Sequence, residues 1–219
     1  MTDGKLLIDK PAGMTSFGVV ARIRRVLSQR AGKKVKVGHT GTLDPFATGL
    51  MILVIGKECK NAGRYSKLDK TYEATFRLGQ ESTTGDPAGE VTRVADNMPT
   101  KEEVKTVLAR FTGEIQQRPP VFSAIKVDGK RAYKLARTGE LIELPLRTVT
   151  IHTLELIDYA YPELTIRTHV SSGTYIRSLA VDIGKALGTG AYCTQLRRTL
   201  VDEWNIDDAQ KLTDFGIVD

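Results

Sequence analysis

The stretch GHTGTLDPFATGLMILVIG, Gly38 to Gly56, decides how this chain folds. Its second half, Gly49 to Gly56, is continuously aliphatic and reads as a strand buried on both faces. Its first half is small and turn-forming, with one carboxylate, Asp44, followed directly by a proline. Asp-Pro is a common turn opener whose side chain can cap backbone amides, so a structural role is open. The neighbourhood favours another role. His39 lies five residues upstream between glycines, where a ligand can approach the backbone closely. A carboxylate at the edge of a buried strand also needs a nearby cation to stay ionised.

Outward from this strand the chain alternates short strands and helices. Lys5 to Lys10 reads as a strand ending at the turn Pro11-Ala12-Gly13. Thr15 or Ser16 can cap a helix through about Gln29, with Val19, Val20, Ile23, Val26 and Leu27 inward and Arg22, Arg25 and Gln29 outward. Lys70 to Gly79 alternates with Tyr72, Ala74, Phe76 and Leu78 on one face, a half-buried strand. Glu90 to Ala95 is another strand. Thr100 with Glu103 is a capping box opening a helix on Val104, Val107, Leu108 and Phe111, stopping at Gly113. Arg118-Pro-Pro ends the next segment, and SAIKVDGKRAY reads as a hairpin about Asp128-Gly129, followed by a short basic helix. Arg147 to Tyr159 and Leu164 to Val170 are long β-like runs. A helix from Tyr175 to Leu187, a strand from Tyr192 to Val201 and one helix after Trp204 complete the reading. Long antiparallel-type runs interrupted by helices predict an α+β fold with a mixed, mainly antiparallel sheet flanked by helices and loops.

Composition bounds the function. With 219 residues, 41% apolar and 26% charged, the chain can bury a real core and has the balance of a soluble globular protein. The apolar run Leu50 to Ile55 is too short to span a bilayer, and the opening MTDGKLLIDK is too poor in aliphatics for a signal peptide. The expectation is a cytoplasmic protein with no membrane contact. Cys59 and Cys193 are far apart, with no C-x-x-C, which argues against a disulfide framework. His39, His152 and His169 show no ligand spacing, since the last two fall in unrelated β-like runs, and no metal is expected. Neither a nucleophilic-serine elbow nor a phosphate or dinucleotide loop is present.

The net charge of +6 is unevenly spread. Arg22 to Lys36 holds seven Lys or Arg and no acid. Lys126 to Arg137 holds five against Asp128 alone. Clustered base suits a polyanion as well as a solvated surface. Arg177 stands out within SSGTYIRSL, because a cation in the first turn of a helix opposes the helix dipole and calls for an anionic partner. Tyr72 and Tyr175 are aromatics beside polar loops, fit for core packing or for stacking on a base.

Six ordered segments carry a resemblance: DKPAGMTS (Asp9–Ser16), GHTGTLDPFATGLM (Gly38–Met51), KTYEATFRLG (Lys70–Gly79), PPVFSAIKVDGKRAYKLAR (Pro119–Arg137), SSGTYIRSLAVDIG (Ser171–Gly184) and LRRT (Leu196–Thr199). Together they resemble the tRNA pseudouridine synthase B family, which isomerises uridine 55 in the T loop of tRNA. The resemblance implies the pseudouridine synthase fold over 1–219, with a thumb-like RNA-binding insertion at about 119–140. It implies a catalytic Asp44, an Arg177 that pairs with it, and a Tyr72 that stacks on the target uracil. Tyr175 and Leu196 become walls around the base, His39 the side chain that fills the space left by the flipped nucleotide, and Lys10 and Pro11 the pocket floor. Lys126, Lys130, Arg131 and Lys134 become a clamp on the RNA backbone. No metal or organic cofactor is needed. The implied partner is the T stem-loop of tRNA, met by a monomer without an obligate protein partner.

Two departures accompany the resemblance. Most bacterial members carry a C-terminal PUA domain, whereas this chain ends at Asp219, so the expectation is a form without it. The family also usually has a glycine shortly after LRRT, where this chain has Asp202. Two other readings stand beside the isomerase: the core of a guide-RNA-directed pseudouridine synthase, and an RNA-binding or RNA-folding module with little catalysis.

Overall fold

The computed structural model describes residues 2–123, 125–127, 130–132 and 144–218, with 126, 127, 130 and 131 as backbone. Its contacts divide the chain into two compact units, Met1–Glu73 with Leu196–Asp219, and Ala74–Gln195.

In the first unit, β1 (Gly4–Lys10) pairs antiparallel with β3 (Thr48–Ile55), from Gly4 opposite Ile55 to Lys10 opposite Gly49. The short β2 (Val37–His39) also pairs with β3. Strand β12 (Ala191–Val201) meets β3 in parallel at Arg197 opposite Thr48 and Arg198 opposite Gly49. With partners along both edges, β3 is buried from Gly49 to Ile55, which is why its sequence is continuously apolar. Helix α1 (Ser16–Ala31) is capped by Thr15, whose side chain accepts from the Gly18 N–H. It buries Val19, Val20, Ile23 and Leu27, the stripe expected from the spacing, with Val26 at its margin. A turn of 3-10 helix (Gly56–Asn61) and the short α2 (Ala62–Ser66) lead to β4 (Lys70–Leu78), which alternates buried and half-buried as predicted.

The tail departs from expectation. In place of one helix after Trp204, β13 (Trp204–Asn205) folds back on β12, followed by 3-10 turns at Ile206–Asp208 and Leu212–Phe215. The cause is local competition. Gln210 N donates to Leu7 O at 3.0 Å and Asp9 N donates to Gln210 O at 2.9 Å, so extended pairing with β1 interrupts any helix.

In the second unit, β10 (Arg147–Ala160) and β11 (Glu163–Val170) form a long antiparallel hairpin, and β7 (Gly113–Gln117) pairs with the other edge of β10. The small strands β5 (Gln80–Ser82) and β6 (Val91–Arg93) pair separately. Helix α3 (Lys101–Ala109) opens on the capping box: Glu103 N donates to Thr100 Oγ1 at 3.3 Å and Thr100 N to Glu103 Oε2 at 2.6 Å. It ends at Ala109, short of the expected stop, and Gly113 instead opens β7. Helix α4 (Ile176–Ala186) buries Ile176, Leu179 and Ile183. Strands β8 (Lys126–Val127) and β9 (Lys130–Arg131) make the expected hairpin, with Lys126 opposite Arg131; its turn and the basic helix expected after it lie largely outside the described residues.

The architecture is therefore α+β, with a mixed sheet in which antiparallel pairs dominate. Among the described residues no helix is long and apolar enough to cross a membrane. Cys59 and Cys193 are not joined in a disulfide.

Candidate active site

The turn that carries Asp44 is held from three sides by residues of its own unit. Ser16 Oγ accepts from Leu43 N at 2.8 Å and donates to Leu43 O at 2.9 Å, tying the first residue of α1 to the residue before the acid. Arg198 donates to Gly41 O at 3.1 Å and to Leu50 O at 2.7 Å, bridging the loop before Asp44 to the strand after it. Lys10 lies beneath. It is 0% exposed, and its Nζ donates to Pro11 O at 2.7 Å, Met14 O at 2.6 Å and Pro45 O at 3.2 Å. Gly13 N adds a bond to Pro45 O at 2.8 Å, and Asp44 O accepts from Ala47 N at 3.2 Å. These bonds run through the Lys10, Ser16 and Arg198 side chains and through backbone groups, so the turn is braced at points other than the acid itself.

Burial pushes the Lys10 ammonium down to about 8, while the negative charge of Asp44 pulls it back up. The two side chains are therefore electrostatically coupled, one at the end of β1 and the other in the loop before β3. Lys10 braces the backbone carbonyls of this turn from a buried position.

The other first-unit candidates are placed as follows. Pro11 opens the turn whose carbonyl Lys10 binds. His39 is half-buried at the end of β2, opposite Leu53. Tyr72 on β4 and Leu196 on β12 are both buried.

The second unit holds Tyr175 and Arg177. Tyr175 is the N-cap residue of α4, and its backbone is gripped by one side chain of β7: Tyr175 N donates to Gln117 Oε1 at 2.8 Å and Gln117 Nε2 donates to Tyr175 O at 3.0 Å. Arg177, 3% exposed, has the anionic partner its helix position demands, and that partner includes a residue the sequence reading passed over. Its Nη1 donates to Asp86 Oδ2 at 3.0 Å and to Thr84 O at 2.8 Å, and its Nη2 to Phe122 O at 2.9 Å. Asp86 is itself 5% exposed and satisfied on its other oxygen by Thr84 Oγ1 at 2.6 Å and Ala88 N at 3.0 Å. The guanidinium is thus fixed in plane by a carboxylate and two carbonyls. The signal for Asp86 is present in the sequence: GDPAG repeats the Asp-Pro turn of LDPFA.

Lys126, Lys130 and Arg131 enter the description as backbone of the β8–β9 hairpin. Lys134 lies outside the described residues. One premise of the sequence reading is corrected. His152 and His169 are not in unrelated runs: β10 and β11 pair, and a register shift between Ile151 and Thr153 brings the two imidazole rings to 4.8 Å. By themselves two imidazoles supply half of a tetrahedral metal set.

Comparison with known proteins follows the same lines. A model of the TruB family pseudouridylate synthase N-terminal domain matches residues 24–176, and one of the tRNA pseudouridylate synthase B C-terminal domain matches 177–216. The chain is 46% identical over 213 residues to tRNA pseudouridine synthase B of Aromatoleum aromaticum, covering 97% of this chain and 68% of that protein. It is 47% identical over 210 residues to the protein of the same name from Burkholderia mallei, covering 96% and 68%. Among solved structures, a Cbf5-Nop10-Gar1 complex matches at 30% identity and a TM-score of 0.74, over 97% of this chain and 53% of that one. An H/ACA RNP bound to a substrate RNA containing 2′-deoxyuridine matches at 29% and 0.71, over 96% and 51%. The chain thus spans about half the length of those solved chains. Fold and likeness together define a pseudouridine synthase. The chain belongs to the TruB family of pseudouridylate synthases.

Proposed function

We propose that this chain isomerises uridine to pseudouridine at position 55 in the T loop of tRNA, with Asp44 as the catalytic carboxylate. The observation that carries the reading is the turn at Asp44, whose backbone is braced by Lys10, Ser16 and Arg198. A preset acid can meet the nucleoside from one direction without reorganising. The names of relatives at 46–47% identity supply the substrate class.

The reaction breaks the C1′–N1 glycosidic bond, turns the detached uracil in its pocket and rejoins it through C5. The proton of C5 leaves, and N1 ends as N–H, so nothing is oxidised or reduced. Attack on C1′, addition to C6 and proton transfer from C2′ to give a glycal each assign Asp44 a different first step. Arg177, fixed by Asp86, is the cation that pairs with Asp44 and keeps it ionised. Tyr72 stacks on the uracil, and Tyr175 and Leu196 wall the base. His39 fills the gap left by the flipped nucleotide, offsetting an unstacking cost of a few kcal/mol. Lys126, Lys130, Arg131 and Lys134 hold the T-loop phosphates. The protein works as a monomer in the cytoplasm, without cofactor or obligate protein partner.

The test uses an unmodified tRNA transcript tritiated at uracil C5. Wild type releases tritium without added guide RNA, and Asp44→Asn does not. Equal release by both proteins would refute the assignment. The second reading, a guide-directed core, draws on the likeness to Cbf5 complexes at about 30% identity, and release that requires an added guide RNA would establish it. Binding with no release by either protein would leave an RNA-folding module.

A further inference from the structure

The seven cations between Arg22 and Lys36 have no role in the site described above. They account for the whole positive balance of the chain, which carries +6 overall. The structure shows where they sit. Burial of Val19, Val20, Ile23 and Leu27 fixes the rotation of α1 and turns Arg22, Arg25 and Gln29 to solvent as one stripe at positions i, i+3 and i+7. Arg30, Lys33, Lys34 and Lys36 are exposed at and beyond the end of the helix. Arg22 reaches the Gly18 carbonyl at 3.5 Å, Arg24 lies 6.0 Å over Phe17, and Arg30 lies 5.8 Å over Phe215. Among the described residues none of the seven forms an ion pair with a carboxylate.

Folding does not require this arrangement. Like charges three apart on a helix destabilise it by a few tenths of a kcal/mol. A cation favours the helix dipole in the last turn, which explains Arg30 but not Arg22 or Arg25. The stripe fits a polyanion lying along the helix.

We infer that the exposed face of α1 and the loop after it bind the phosphate backbone of the RNA stem that carries the target loop. The inference rests on the synthase reading for the identity of that RNA. Its geometric basis is the Ser16–Leu43 bond pair, which plants the start of α1 beside Asp44. At 1.5 Å rise per residue, Arg22 stands about 9 Å along the helix from Ser16, Arg25 about 14 Å, and the end of α1 about 22 Å. A stem continuous with a loop held at Asp44 presents phosphates over a span of this order, since backbone charges recur every few ångströms along a strand. The surface belongs wholly to the first unit and grips a duplex, not the loop.

The variant Arg22→Gln, Arg25→Gln, Lys33→Gln tests this by direct binding to a T stem-loop hairpin and to the same loop sequence as a single strand with no stem. Three lost phosphate contacts lower the slope of log K against log salt by about 2–3. The expected result is hairpin binding at least about tenfold weaker at about 0.1 M salt, unchanged single-strand binding, and a melting temperature equal to or above that of the wild type. Arg22→Lys, Arg25→Lys, Lys33→Arg keeps the charges and retains hairpin affinity. An unchanged hairpin slope overturns the surface, and an equal loss on both RNAs overturns the stem assignment. Binding is read directly, so the result stands whether or not the protein releases tritium.

Discussion

Arg177 and Asp86 form an ion pair of 3.0 Å in which both side chains are shielded from water, at 3% and 7% side-chain exposure. The pair reconciles a cation with the first turn of a helix. Removing one partner of a buried pair leaves an uncompensated charge, so Asp86→Ala is expected to destabilise the protein by about 3–5 kcal/mol in urea unfolding. Arg177→Met with Asp86→Leu removes both charges and should cost less than Asp86→Ala alone. A double variant that proves the less stable would show that the pair is held by something other than its charges.

Lys10 gives a pH dependence. Its folded pKa of about 8 lies below the ordinary 10.5, as does that of Lys70, which burial also lowers to about 8. Between those values the unfolded chain binds more protons, so stability rises with pH. The contribution of each lysine is fully present above 10.5 and is lost as pH falls through about 8. Each adds up to about 1.4 kcal/mol per pH unit inside that window. Unfolding measured at intervals from pH 7.5 to 10 should show the rise, and Lys10→Met should remove about half of it while stranding three backbone carbonyls.

Gly49 adopts φ +105°, and a Cβ there would meet the Arg198 carbonyl oxygen at 2.3 Å. Backbone cannot yield as a flexible side chain can. Gly49→Ala should therefore cost at least about 3 kcal/mol, because strain and overlap add. Gly13→Ala shares a positive φ of 79° but meets nothing within 4 Å, and should cost about 1–2 kcal/mol. Equal losses in thermal melts of the two variants would refute the close-approach account.

Asp202 takes φ +51° in the turn between β12 and β13, with its N–H on the Asp69 carbonyl at 3.0 Å. The left-handed conformation explains why a glycine suits this position. Asp202→Gly relieves the strain but frees the unfolded chain, so a gain of about 0–1 kcal/mol is expected by denaturant midpoint. A loss above about 1 kcal/mol would mean that the Asp202 side chain contributes to the turn.

The regular elements were legible wherever one period dominated: β3 by its unbroken aliphatic run, β4 by alternation, α3 by its capping box. Strand β2 was not, since three residues from Val37 to His39 carry no measurable period. Asp44 stands out as a candidate in the sequence because its turn abuts the most apolar strand. Asp86 has the same Asp-Pro signature but sits in a Gly- and Thr-rich loop that reads as an ordinary turn, and its partner is 91 residues away. The approach of His152 to His169 depends on a bulge, which sequence alternation cannot locate. The burial of Lys10 could not be read from the sequence, because the three carbonyls that draw it inward, of Pro11, Met14 and Pro45, converge only in the folded chain.

The grip of Gln117 on Tyr175 bears on how the chain folds. Helix α4 has no side-chain cap of its own; its opening amide is satisfied by an amide group 58 residues earlier. Its first turn is therefore completed only where β7 is in place, so the registration of Arg177 and the docking of that strand are coupled rather than independent events.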